Sequence, residues 1–168
     1  MRQAIAGVNV ATREEVEVMT VWPSNAAYGL GRTLGRLYSL KAGISVFTVG
    51  HLIALASIPI ALGLYFLKIL PFVGQRYTLT NRRIIVKTGI AGVEAKSVDL
   101  DRFDAIDIVV QPGQEWYHAG DLVFRKGNVE TFRLDGVSRP RAFRSTCLKS
   151  HMGFVGVKKS LERQAVPA

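Results

Sequence analysis

From Ala42 to Leu67 the chain carries no Asp, Glu, Lys or Arg, and that gap constrains everything around it. A spanning helix needs about 20 apolar residues, and a soluble core helix rarely tolerates a run longer than that. The stretch Ala42 to Val73 therefore predicts a transmembrane segment. It has two possible arrangements. A single tilted span, Ala42 to Leu67, would be kinked at Pro59, with Lys68 reaching the interface along its aliphatic stem. A short re-entrant hairpin would instead bend near Ser57, Ile58 and Pro59 and return to the side it left. Arg32, Arg36 and Lys41 flank one end, while Lys68, Arg76, Arg82, Arg83 and Lys87 flank the other. Basic residues on both flanks mildly favour the hairpin. A secretory signal peptide does not fit, because about forty residues with their own pattern come first.

The chain is 168 residues long with a formal net charge of +9, which leaves room for one small domain beside the apolar segment. Without that segment such a charge would suggest nucleic acid. Beside it, attraction to anionic lipid headgroups explains the same charge, at about 1 kcal/mol per basic residue near the surface. Cys147 is the one cysteine, so there is no internal disulfide and no cysteine metal cluster. A reducing, cytoplasmic side for the domain fits this.

In chain order, residues 1–23 form a lead-in containing a strand. The text EVEVMTVW alternates, with Val16, Val18, Thr20 and Trp22 on one side and Glu15, Glu17, Met19 and Val21 on the other, until Pro23 stops it. A lone strand needs a partner, so it is expected to pair with the domain beyond the apolar run, which would put both ends of that run on one side. Residues 24–41 predict an interfacial amphipathic helix capped by Ser24, with Tyr28, Leu30, Leu34, Leu37 and Tyr38 apolar against Arg32 and Arg36, and with Gly29, Gly31 and Gly35 weakening it. Packing of its small residues against another membrane helix is the rival.

After Gly74 the pattern changes to strands. Gln75 to Thr80 and Arg83 to Thr88 join at Asn81-Arg82, and Val93 to Leu100 and Ala105 to Gln111 follow with a corner at Asp101 to Asp104. Pro112-Gly113 closes that pair, and Asp121 to Arg125 and Val129 to Leu134 flank Lys126-Gly127-Asn128. Six strands in about sixty residues is the spacing of an antiparallel sandwich or small barrel over 75–137. Residues 138–168 predict a closing helix and tail, with Ser138 as N-cap, Pro140 in the first turn and a break at Gly153 and Gly156. Phe143, Cys147, Leu148, Phe154, Val155 and Leu161 share one face, opposite a basic one.

The blocks RYTLTNRRIIVKTG (Arg76 to Gly89), SVDLDRFDAIDIVVQ (Ser97 to Gln111) and AGDLVFRKG (Ala119 to Gly127) together resemble the bacterial pleckstrin-homology (PH) domain family of membrane-associated proteins. The lead-in ending in Trp22-Pro23-Ser24 is similar to the short segment such proteins carry before their membrane part. The resemblance implies a mainly β fold with a C-terminal α-helix: a PH-like antiparallel barrel or sandwich of two near-orthogonal sheets, preceded here by a membrane helix or short hairpin. It also implies interaction without known catalysis. Relatives commonly carry a two-helix hairpin, for which Ala42 to Val73 is short.

No catalytic spacing is present: His51, His118 and His151 are scattered, and there is no Gly-rich phosphate loop or Gly-x-Ser-x-Gly elbow. Asp99, Asp101, Asp104 and Asp107 lack the spacing and closing Glu of a calcium loop, so they are expected to be corner and strand-end charges. His51 sits in the apolar run, where an ionisable group suggests a function such as ligating a haem or chlorophyll metal, or more simply a hydrogen bond to a neighbouring helix. Arg82, Arg83 and Lys87 lie on the hairpin where eukaryotic relatives hold inositol phosphates, and two arginines suit a headgroup phosphate. Solvated charge beside a membrane explains them equally. Trp116 and Tyr117 would join Arg32, Arg36, Lys41 and Lys68 as interface anchors, or cover the end of the barrel.

The sequence thus leads to a non-enzymatic, membrane-anchored interaction module on the cytoplasmic face of a bacterial inner membrane, acting as scaffold or accessory subunit. A sensor of anionic headgroups is the alternative, and a pigment or haem subunit through His51 is the third. The expected partners are anionic lipids and other membrane proteins, with no cofactor, no metal, no nucleic acid and no small-molecule substrate.

Overall fold

The chain runs β1 (Glu17–Val21), a 3-10 turn (Asn25–Ala27), α1 (Gly29–Tyr38), the two-residue strands β2 (Gly43–Ile44) and β3 (Phe47–Thr48), then α2 (Val49–Ala56) and α3 (Ile58–Ile69). After these come β4 (Gln75–Thr80), β5 (Arg83–Thr88), β6 (Val93–Asp99), β7 (Ala105–Val109), a 3-10 turn (Glu115–Tyr117), β8 (Ala119–Lys126), β9 (Val129–Ser138) and α4 (Pro140–Ala165). The computed structural model describes residues 15–40, 42–44, 47–69 and 74–165.

Two antiparallel sheets carry the domain. One has the order β1-β4-β5-β6 and the other β7-β8-β9. The lead-in strand does pair with the domain beyond the apolar run: Val21 lies opposite Tyr77 and Thr20 opposite Thr78. All three helices that follow β1 are therefore an insertion between two neighbouring strands of one sheet. The alternation of β1 slips once, between Glu17 and Met19. A bulge at Val18 turns Glu17 to the same face as Thr20, while Met19 and Val21 pack on the core.

The sheets do not close into a barrel. They meet at one corner, where Pro23 bridges to Val137 and the Ser24 amide donates to the Gly136 carbonyl at 2.7 Å. Gly136 has φ +58, and a Cβ there would lie 2.5 Å from the Ala27 amide nitrogen, so only glycine allows this crossing. At the opposite corner the chain passes from β6 to β7 through Leu100 and Phe103, both buried. The two predicted strands there belong to different sheets, which is why four residues separate them. Leu79, Ile84, Leu122, Phe124 and Leu134 fill the space between the sheets, with Phe103 edge-on to Phe124 at 5.0 Å.

Helix α4 covers one end of this core with Phe143 and Cys147, both fully buried. Arg144 Nε donates to the Ile106 carbonyl at 2.6 Å, His151 Nδ1 to that of Leu100 at 2.6 Å, and Lys158 pairs with Asp101 at 2.8 Å. Two expectations fail here. The helix runs unbroken through Gly153 and Gly156, because neither glycine meets a neighbour and nothing forces a bend. Ser138 is the last residue of β9, and Arg139, with φ +51, makes the turn into the helix. Burial pushes the Cys147 thiol up to about 12. Iodoacetamide at mildly alkaline pH should thus leave the folded protein unmodified and alkylate it in urea, as intact mass will read.

The apolar run is not one helix. A strand pair occupies its first residues, and α2 and α3 are bent 55° apart around Ser57. Pro59 has no N–H for the Leu55 carbonyl, which ends α2. A single span of Ala42 to Leu67 is thereby corrected: among the described residues no single helix is long and apolar enough to cross a membrane, though the bent pair passes that test of length and composition jointly.

Candidate functional site

Helices α2 and α3 expose what a soluble domain would hide. Leu52, Leu55, Ile58, Ile60, Leu62, Tyr65 and Phe66 are all exposed, Leu55 by 67% and Phe66 by 61%. Only the stripe of Gly50, Ser57 and Leu64 is buried. A helix apolar on all sides belongs inside a core or a bilayer, and here no core surrounds it.

Helix α1 fixes where that apolar pair sits. Its buried residues are Gly31, Gly35 and Tyr38, while Leu30 and Leu37 are exposed. The expected apolar face is corrected accordingly: of it Tyr38 is buried, and Gly31 and Gly35, expected to weaken the helix, share the docking face with it. A Cβ on Gly35 would lie 2.1 Å from the Gly113 carbonyl oxygen, and one on Gly113 would lie 2.0 Å from that of Arg32, so the two backbones touch. Gly113 has φ +92 as well.

Arg32 and Arg36, read as interface anchors, reach the same loop. Arg32 Nη1 donates to Gln111 Oε1, and Arg36 Nε donates to the Pro112 carbonyl at 3.2 Å. Trp116 and Tyr117 stand under the helices. Tyr38 is edge-on to Trp116 at 5.5 Å and tilted against Tyr117 at 6.5 Å, and His51 lies edge-on to Trp116 at 6.1 Å. Burial raises the pKa of Tyr117. The Tyr38 hydroxyl is hydrogen-bonded to Ser57 at the bend. Thr48 caps α2: its Oγ1 accepts from the His51 amide at 3.4 Å and shares a hydrogen bond with His51 Nδ1 at 2.6 Å. Lys41 lies outside the described residues, and so does the side chain of Lys68.

Behind this loop is a polar centre that sequence reasoning passed over. Asp121 is fully buried and accepts hydrogen bonds from Gln111 Nε2, from Gln114 Nε2 at 2.6 Å and from the Gly136 amide at 2.8 Å, with Arg133 3.6 Å away. Gln114 is also fully buried, and its Oε1 accepts from the Gln111 amide at 2.8 Å. One carboxylate thereby ties the loop beneath α1 to the sheet corner at Gly136. Asp121 was visible only as the Asp of AGDLVF, and its hint was a carboxylate opening an otherwise apolar strand with two glutamines just before it.

The basic hairpin is arranged differently from a free phosphate clamp. Arg83 pairs with Glu15 through two nitrogens, at 2.8 and 2.9 Å, and with Glu94 at 3.0 Å, while Lys87 pairs with Glu17. Arg82 at the turn is exposed. The Arg83 contact, the first cause, holds the Glu15 carboxyl below its usual range. A carboxyl lowered by folding stabilises above its unfolded pKa and loses that contribution as pH falls through the folded value. Glu15→Gln should therefore cost under about 1 kcal/mol at neutral pH, as expected for a half-exposed pair, and nothing once the carboxyl is protonated. Paired urea melts of the two proteins at neutral and acid pH will show whether the gap closes.

The four clustered aspartates are separately engaged. Asp99 lies 3.9 Å from Arg102, Asp101 pairs with Lys158, Asp104 accepts from the Gly127 amide at 2.9 Å, and Asp107 pairs with Arg125 at 3.0 Å. Among the described residues no group of His, Cys, Asp and Glu could hold a metal ion.

A four-stranded and a three-stranded antiparallel sheet joined at a corner and capped by a C-terminal helix define a PH-like domain. A family model for the bacterial PH domain matches residues 32–152, and the chain belongs to that family. Searches of curated proteins and of solved structures found no match. The matched region begins inside α1, so β1 is a strand of the sheet that lies outside it.

Proposed function

We propose that the protein is a membrane-anchored PH-like interaction module whose α2–α3 pair lies within one leaflet of the inner membrane of a bacterium, with the domain on the cytoplasmic side. The observation that carries this is the wide exposed apolar surface of that pair next to a ladder in which β1 and β4 are neighbours. Strands paired in one sheet lie on one side of a bilayer, so a segment between them that enters must come back out on that side. The two helices are about 12 and 18 Å long, too short for two crossings of a core about 30 Å thick. Helix α1, docked on the domain, holds the pair at a fixed place beside it.

In the family such domains are generally non-enzymatic interaction modules. The role we assign is scaffold or accessory subunit of a membrane assembly, with other membrane proteins as partners and β6, the last strand of its sheet, as the edge for an added strand. A headgroup sensor built on Arg82, Arg83 and Lys87 has less support, because two of the three cations already hold carboxylates. Pigment ligation by His51 is likewise less supported, since its ring packs edge-on to Trp116 and its contacts with Thr48 serve the start of α2 without a metal.

The test is alkaline carbonate washing of membranes from cells expressing the full chain. The wild type should stay in the pellet, and Leu55→Lys with Leu62→Lys should move to the supernatant with a native far-UV spectrum. Wild-type protein in the supernatant would refute membrane anchoring.

A further inference from the structure

The insertion that carries the apolar pair is rooted at one end of the four-stranded sheet. It leaves β1 after Val21 and returns at Gln75, and Val21 lies opposite Tyr77 in the ladder. Gly74 follows Ile69, the last residue of α3, by five positions, so the pair ends within about 18 Å of the sheet. The turn from β5 to β6 belongs to the same end, because the Gly89 amide donates to the Gly74 carbonyl at 2.6 Å.

The two ends of the sheet differ in character. At the rooted end the turn reads Gly89-Ile90-Ala91-Gly92, carries no charge, and holds Ile90 70% exposed. Both of its glycines have positive φ, +73 and +68, so Ile90 and Ala91 are the only side chains the turn presents. Trp22, the first residue past β1, is 56% exposed at this end. At the other end stand Asn81-Arg82 and the corner Asp101 to Asp104, tied together where the Leu100 amide donates to the Arg82 carbonyl at 2.9 Å. Neither of those turns has an exposed apolar side chain, since Phe103 is buried. Single exposed apolar residues are ordinary on a protein surface. A tryptophan and an isoleucine on either side of the root of an apolar insertion, with charge kept to the far end, match the belt of a membrane interface, where tryptophan is favoured at the headgroup level.

We propose that this end of the sheet rests on the bilayer, with Trp22 and Ile90 at the headgroup level of the leaflet that α2 and α3 enter. The contact presupposes that the pair is in the membrane, and it adds which end of the domain faces the lipid. It is apolar and calls on no cation of the β4–β5 hairpin. At that depth water still reaches both residues from the cytoplasmic side.

Tryptophan emission tests it. The chain has two tryptophans, so Trp116→Phe leaves Trp22 as the one reporter. In a background lacking both, Ile90→Trp, Leu62→Trp on α3 and Arg82→Trp at the far turn report from three further places. Each full-length variant is reconstituted into phosphatidylcholine vesicles whose acyl chains are brominated near the headgroup, with unbrominated vesicles as reference and far-UV circular dichroism to establish folding. Trp22 and Ile90→Trp should lose emission at least about twofold, and Arg82→Trp should lose none. Quenching of Leu62→Trp with Trp22 or Ile90→Trp unquenched would overturn this contact while leaving the anchor in place. No quenching of Leu62→Trp would show that the pair is outside the bilayer, and the contact would fall with it.

Discussion

Asp121→Ala is expected to lower the stability of the protein by about 3–5 kcal/mol, because three hydrogen bonds to a buried carboxylate are lost together. The carboxylate is fully buried and accepts from Gln111, Gln114 and the Gly136 amide. Its removal strands two buried donors, the Gln114 amide and the Gly136 N–H, each costing about 1–3 kcal/mol if left unpaired, and takes the bond from the part-buried Gln111 as well. Asp121→Asn keeps the volume but turns an amide toward donors, so it should fall between alanine and the wild type. Urea denaturation in detergent, followed by circular dichroism, measures both. A loss below about 1 kcal/mol for Asp121→Ala would mean that the network is incidental to the fold.

Gly35→Ala should have the opposite sign from its helix propensity. In an exposed helix the change would add up to about 1 kcal/mol. Here the new Cβ would lie 2.1 Å from the Gly113 carbonyl oxygen and 2.9 Å from Tyr117 Cε2, and backbone cannot yield as a flexible side chain would. Helix α1 should lift from the loop, losing the Arg32 and Arg36 contacts and the Tyr38 packing together. Hydrogen exchange should show protection falling at least about tenfold over 29–38 and 111–117, with the strands of both sheets unchanged. Unchanged or increased protection would show that α1 is held by something other than its glycine face.

Much of the domain was legible because its elements are local. The Asn81-Arg82 turn, the Gly127 hairpin and the long closing helix each follow from residues a few positions apart. The pairing of β1 across the whole insertion was legible too, since a lone amphipathic strand has to find a partner. What the sequence hid depends on contacts between distant segments. Gly35 reads as a weak helix former until Gly113 is brought against the helix, and Asp121 reads as the first residue of a strand until Gln111, Gln114 and Gly136 surround it. Arg83 and Lys87 read as free cations because Glu15 and Glu17, their partners, arrive from a strand far ahead in the chain. The split of the apolar run was hidden in part by its uniform composition, which says that a segment avoids water but not how it bends.

The apolar pair should enter and leave the membrane on the same side, and sidedness reads this out. Ser39→Cys and Ile90→Cys place exposed thiols before and after the pair, while the native Cys147 is buried. Each is treated with a membrane-impermeant maleimide in right-side-out and in inverted inner-membrane vesicles. Both thiols should react in inverted vesicles and be protected in right-side-out ones. Reaction of the two from opposite sides would show a single crossing, which the β1–β4 ladder does not permit, and would rule out a pair that returns to the side it left.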